Sequence, residues 1–149
     1  MDRNTELRCR FATLADTATL APLNAQLIRD EGHRNPMSVA ELEQRMSAWL
    51  AGEYKAVLFE LGPQVAGYAL FRQDPEHIYL RQLFVAPAHR RRGVGRAALA
   101  WLWSNAWPNA ARIRVDVLLA NIAAQAFWRA VGFRDYCVVM EMERPSSPA

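Results

Sequence analysis

Little in this sequence lends itself to redox or metal chemistry. Only two cysteines occur, Cys9 and Cys137, and no metal or thiol-exchange spacing connects them, so both read as small apolar residues in reduced form. The three histidines, His33, His77 and His89, show no ligand spacing, and no metal site is expected. No apolar run approaches the ~18 residues a membrane span requires, and no secretory apolar core opens the chain. Internal repeats, low-complexity stretches and a linker are also missing. These absences set the expectation of one domain over residues 1–149, with 145–149 a frayed tail, in a cytoplasmic protein with no membrane partner.

What is present is ordinary in bulk and unusual in one place. Apolar residues make up 52% and charged residues 22%, a globular balance, and 149 residues suffice to bury about 70% of the surface of the unfolded chain. The net charge of +3 is small, yet eight arginines fall between Arg72 and Arg114. Local concentration of this kind favours an anionic ligand near the middle of the chain.

Residues 7–13 alternate enough (Leu7, Cys9 and Phe11 against Arg8 and Arg10) to predict a first strand. Asp16 can cap a helix with Leu20, Leu23, Leu27 and Ile28 on one face, ending near Gly32; Pro22 either bends it or falls in its first turn if the start slips to Thr19. Residues 30–36 form a polar loop broken by Gly32 and Pro36, the kind of segment that holds binding residues. Ser38 and Glu41 make the capping box of a second helix running to Gly52, whose stripe of Leu42, Met46, Trp49 and Leu50 reads as packing. Gly62-Pro63 separates strands at 54–61 and 64–72 as a hairpin. A strand at 78–85, a helix at 94–107, a fifth strand at 112–119, a short helix capped by Asn121 and stopped at Gly132, and a last strand at 133–144 complete the chain. The order βααβββαβαβ predicts an α/β protein with a mixed sheet covered by helices.

Between the strand at 78–85 and the helix that follows lies the turn His89-Arg90-Arg91-Arg92-Gly93-Val94-Gly95. Free N–H groups at a helix start, the positive end of its dipole and adjacent arginines converge there, which makes a cradle for a polyphosphate. Without a Cβ at Gly93 and Gly95, the main chain can approach an anion closely and take positive φ. Arg90 to Gly95 also fits an Arg/Gln-x-x-Gly-x-Gly/Ala pattern that resembles the acetyl-CoA loop of the GCN5-related N-acetyltransferases (GNAT family), and the run ending Phe84-Val85-Ala86-Pro87 resembles that family's fourth strand. Asn121, followed by residues 126–133 (Ala-Phe-Trp-Arg-Ala-Val-Gly-Phe), is similar to its second conserved block.

The resemblance implies an acyl-CoA N-acyltransferase fold: a mixed, mostly antiparallel central sheet flanked by helices, with fourth and fifth strands splayed around acetyl-CoA. It implies an acetyl-CoA-dependent N-acetyltransferase that acts by direct attack on the thioester. Cofactor binding then falls to the N–H groups of Leu83, Phe84 and Val85, with the thioester carbonyl near Phe84 or Val85. The pyrophosphate falls to Arg90, Arg91, Arg92, Gly93, Val94, Gly95 and Arg96. Asn121 bonds the pantetheine arm, and Phe127 and Trp128 line the thiol channel. Independently of the resemblance, Asn121 reads as a helix cap and Phe127 and Trp128 as core aromatics.

Two departures from the family pattern bear on catalysis. Trp128 stands where many members carry a tyrosine that acts as the acid, and an indole N–H donates a hydrogen bond without delivering a proton. Water, Tyr79 or Tyr136 remains to reprotonate the thiolate. Arg81 stands where several relatives place the glutamate base; a guanidinium cannot take that role and draws a negatively charged amine rather than a polyamine. Glu31, Asp116 and His33 are the candidate bases, with Glu31 first because it borders the acceptor cleft, whereas Asp116 can simply pair with Arg112 or Arg114. The acceptor is expected to be a small-molecule amine. Nucleic acid is disfavoured because the basic residues are confined to one turn without interleaved exposed aromatics. An apolar final strand (Cys137, Val138, Val139, Met140, Met142) points to a homodimer. A CoA-binding sensor without turnover is the alternative.

Overall fold

Strand alternation and helix caps translate into twelve short segments in the computed structural model of the protein, which describes residues 6–146. Strand β1 is Leu7–Phe11, helix α1 Thr17–Glu31, helix α2 Val39–Ala51, strands β2 Tyr54–Leu61, β3 Gln64–Gln73 and β4 Ile78–Val85, helix α3 Val94–Trp101, strand β5 Ile113–Arg114 and helix α4 Ile122–Ala130. Single 3-10 turns occupy Leu14–Asp16 and Pro87–His89. The chain divides into two parts, Met1–Leu118 and Leu119–Ala149, which are described separately.

In the first part the strands lie in sequence order, β1-β2-β3-β4-β5, antiparallel except for the parallel β4·β5 pair. The expected mixed, mostly antiparallel sheet is therefore present. One face takes α1 and α2: Leu20, Leu27 and Met46 pack on Tyr54, Ala56, Leu58, Tyr68, Leu70 and Phe84. Against the other face lies α3 with the turn after it, where Trp101 meets Phe11 and Trp107 sets its edge on Phe71, ring centroids 5.3 Å apart at 90°.

Ser38 and Glu41 close the reciprocal capping box of α2, and the backbone N–H of Ser38 holds the Glu41 carboxyl below its usual range. Asp16 behaves differently from expectation. It is the third residue of a box capped by Thr13, and a bidentate bond from Arg10 fixes it. Pro22 sits inside α1, past the first turn. The helix expected at 94–107 changes pitch after Trp101: Leu102–Ala106 form a π turn closed by the Trp107 N–H donating to the Leu102 carbonyl at 2.8 Å, and the widened turn ends in the buried Trp107 ring.

Two expected strands are corrected. The fifth, expected over 112–119, pairs only at Ile113–Arg114, because β4 and β5 part beyond Tyr79↔Arg114 and leave the following residues no ladder partner. The last, expected over 133–144, forms no ladder among the described residues, and Val138, Val139, Met140 and Met142 are exposed. An apolar run supplies β propensity but not a neighbouring edge, and propensity without an edge makes no strand. Of the expected tail, residues 147–149 lie outside the described residues. Among the described residues no helix is long and apolar enough to cross a membrane.

Gly67 has no room for a side chain, since a Cβ built there collides with the carbonyl oxygen of Phe84. Replacing Gly67 with Ala forces β3 and β4 apart, and a loss of roughly 1–3 kcal/mol is expected, as for other overpacked sites. A urea unfolding midpoint unchanged in Gly67→Ala would show that the strands yield without cost.

Candidate active site

Strand β4 positions the site through a single extra residue. Leu70 pairs with Gln82 but its neighbour Phe71 pairs with Leu80, so Arg81 is a bulge. Directly paired residues share a sheet face, which puts Leu80 with Phe71 toward the α3 side and Gln82 and Phe84 with Leu70 and Tyr68 toward α1 and α2. The N–H directions change parity at the same point. Ile78 donates toward β5, to the Arg112 carbonyl at 2.9 Å, while Ala86 donates toward β3, to the Ala66 carbonyl at 2.7 Å. Alternating back from Ala86, the N–H of Phe84 turns to β3, whereas those of Leu83 and Val85 turn to the edge that β5 no longer covers.

The chain leaves β4 through Pro87–His89 and enters the arginine turn. Arg90 is committed to structure: its Nε donates to the Val85 carbonyl at 2.7 Å, its NH2 to Asp30 at 2.8 Å, and its guanidinium lies over the Phe84 ring. Arg91 takes φ 61° and Gly93 takes φ 76° as the N-cap of α3. Gly95 is already helical, so the second positive φ falls on Arg91 rather than on that glycine. The N–H of Ala97 is the first to find an acceptor, Gly93 O at 2.9 Å, which leaves those of Val94, Gly95 and Arg96 facing outward. Arg91, Arg92 and Arg96 are exposed, and among the described residues none has a carboxylate within 4.0 Å. Uncommitted amides, a helix start and three unpaired cations suit a diphosphate.

The polar groups of α1, α2 and β4 gather around the buried Tyr68. Its hydroxyl donates to Gln82 Oε1 at 2.8 Å; burial pushes the phenol far above its ordinary range, the Glu31 charge adding to the shift and Arg45 opposing it. Glu31, the last residue of α1, pairs with His33 at 2.9 Å and directly follows Asp30, the partner of Arg90. At the other end of β4, Tyr79 donates to Asp116 at 2.7 Å, and Arg72 bridges Asp74 and the Tyr54 hydroxyl. Asp116 is thus a tyrosine's partner. Tyr79 lies roughly 13 Å along the strand from Leu83, so the structure separates it from the open amides that it brings together with the arginine turn.

In the second part, Asn121 caps α4, its Oδ1 accepting from the Ala124 N–H at 3.1 Å. Trp128 stacks edge-on with Phe127 and Phe133, centroids 5.1 and 4.9 Å away.

The description "Acetyltransferase (GNAT) family" belongs to a family model that matches residues 23–133, from α1 through α4. The chain belongs to this family. GNAT enzymes are N-acetyltransferases with acetyl-CoA as co-substrate. The chain is similar in structure to a possible acetyltransferase from Clostridium difficile 630 (17% identity, 95% of this chain and 99% of that one, TM-score 0.76). It is also similar to an aminoglycoside N-acetyltransferase in complex with CoA (16% identity, 97% and 98%, TM-score 0.78). A third likeness is to a predicted acetyltransferase with acetyl-CoA from Clostridium acetobutylicum (18% identity, 93% and 96%, TM-score 0.72). At such identities these likenesses establish the fold. No curated protein matches the chain by sequence.

Sequence reasoning missed Arg45, Trp49 and Tyr54. Arg45 and Trp49 lie four residues apart on one face of α2, and the apolar stripe on that helix masks a polar function for the same face. Tyr54 and Arg72 meet only through the β2·β3 register.

Burial, reinforced by the bond to Asp116, pushes the Tyr79 phenol from 10.0 up to about 12. A raised value in the folded state means that Tyr79 favours folding below pH 10 and that this contribution is lost as pH climbs toward 12. Near-ultraviolet titration of the protein and of Tyr79→Phe should differ by one phenolate that appears nearer pH 12 than 10; a difference at pH 10 would contradict the placement.

Proposed function

We propose that the protein transfers the acetyl group of acetyl-CoA to the amine of a small acceptor by direct attack on the thioester. The observation that carries this reading is the continuity of the open β4 edge at Leu83 and Val85 with the exposed amides and unpaired arginines at the start of α3. The diphosphate lies against Arg91, Arg92, Arg96 and the N–H groups of Val94 and Gly95, while Arg90 holds the turn in shape. The edge amides of Leu83 and Val85 take the pantetheine arm and the thioester oxygen.

Attack requires a neutral amine. Glu31 takes the ammonium proton, directly or through water, with His33 sharing its carboxylate. The amine nitrogen then bonds to the thioester carbon, the negative charge that develops on oxygen is held by the β4 amides, and the C–S bond breaks to leave the CoA thiolate. An ordinary thiol has a pKa near ~8.5, so the thiolate departs without full protonation. The second proton on nitrogen, shed as the C–N bond forms, passes through water to the thiolate. A second copy of the chain, meeting this one through residues 137–142, is the partner proposed for the exposed apolar run.

A second reading, a CoA-binding sensor without turnover, is favoured by Arg81 and Trp128, which occupy the places of the usual base and acid. Calorimetric titration with acetyl-CoA and an assay of CoA release over a panel of amines separate the two: binding with turnover supports transfer, binding alone supports the sensor, and no binding at millimolar ligand removes both. A Cβ at Gly93 meets nothing within 4 Å. Gly93→Ala therefore reports backbone strain alone, and Gly93→Glu adds a charge facing the phosphates. The glutamate variant should weaken acetyl-CoA binding by about tenfold or more; equal affinity for wild type and Gly93→Glu would place the nucleotide elsewhere.

A further inference from the structure

Three arginines of the first part that approach the sheet are answered by a carboxylate. Arg10 meets Asp16 and Glu60, Arg72 meets Asp74, and Arg90 meets Asp30. Arg45 and Arg81 are not. Among the described residues the side chain of Arg45 bonds only Asn24 Oδ1, at 3.2 Å, and that of Arg81 only the Tyr54 hydroxyl, at 3.3 Å. The Arg45 Nε is buried without a partner.

Both guanidiniums rest on the same indole, with Arg45 4.3 Å and Arg81 4.8 Å from the Trp49 ring centroid, and Arg81 also faces Tyr54. The Trp49 and Tyr54 rings lie 5.3 Å apart, and Arg81 lies over both. Two cations are thus held near each other by aromatic faces, against their own repulsion; burial and then the Arg81 charge lower the affinity of Arg45 for its proton. Such a pair is stabilised by an oxyanion that both can bond.

We propose that Arg45 and Arg81, set on Trp49, form a clamp for an oxyanion carried by the acceptor, which makes the acceptor class an amine that also bears a carboxylate or phosphate. Arg81 is two residues along β4 from Leu83, roughly 7 Å, so one small molecule spans from the clamp to the open amides. Glu31 is electrostatically coupled to the same buried Tyr68 hydroxyl as Arg45, which sets the candidate base on the clamp's side of the sheet. The inference rests on the acetyl-transfer reading for the amine's fate and on the side-chain geometry for the anion.

Two readouts keep the ideas separable. Occupation of the clamp is followed by the arginine Nε–Hε resonances in titrations with β-alanine, O-phosphoethanolamine, β-alaninamide and ethylenediamine, which need no turnover. The Arg45 and Arg81 signals should move with the two anionic amines and stay with the two that lack an oxyanion; the stronger of β-alanine and O-phosphoethanolamine identifies carboxylate or phosphate. With acetyl-CoA present, kcat/KM for the anionic amine should exceed that for its analogue without the oxyanion by about tenfold or more, and Arg45→Met or Arg81→Met should erase that preference with acetyl-CoA affinity intact. Arg8→Met, which removes a positive charge from β1, should retain it. Resonances that move equally with ethylenediamine, or a preference that survives both substitutions, would overturn the clamp. Failure of acetyl-CoA to bind would overturn the transfer reading and leave the resonance experiment to decide the clamp.

Discussion

An antiparallel ladder accepts an additional residue only by giving up regular pairing, and β4 does so at Arg81. That one displacement sets most of the site. Before it, the strand belongs to a five-stranded sheet and pairs on both edges; after it, the strand turns Gln82 and Phe84 into the α1 and α2 core and presents alternate amides to an uncovered edge. The side chain at the bulge leaves the ladder and lands on Trp49. Gly67 lets β3 stay close to the displaced strand, because any side chain there would strike the Phe84 carbonyl. The direction of the edge amides and the placement of Arg81 on Trp49 are therefore consequences of one local irregularity.

The strand, turn and helix start around Gly93 were legible in the sequence because their determinants are local: a strand, a glycine at the helix cap, and arginines within a few residues. The capping box at Ser38 and Glu41 and the hairpin around Gly62 were legible for the same reason. Where an element depends on a distant neighbour, the sequence was a weaker guide. Residues 115–119 alternate well and still lack a ladder, since β4 diverges from them, and 133–144 are apolar enough for a strand yet meet no edge among the described residues. The bulge itself left no sequence mark, because Arg81 reads as one more alternating residue. Arg45 was hidden on a helix whose apolar stripe explains itself.

The arginines illustrate why composition alone misleads. Eight of them between Arg72 and Arg114 read as a single basic region, whereas the structure sorts them by partner. Arg72 and Arg90 hold the framework through Asp74 and Asp30. Arg91, Arg92 and Arg96 remain exposed with no carboxylate beside them, on the turn that receives phosphate in the proposed function. Arg81, joined by Arg45 from outside the cluster, rests on Trp49. Paired guanidiniums contribute shape; unpaired ones contribute potential.

The bond between Asp30 and Arg90 crosses sixty positions of chain. It clips the end of α1 to the turn after β4, and Glu31 is the next residue. In the proposed function the two substrates are thereby handled by one mechanical piece: strain imposed on the arginine turn by an arriving nucleotide would have a direct route, one ion pair and one peptide bond long, to the Glu31 carboxylate.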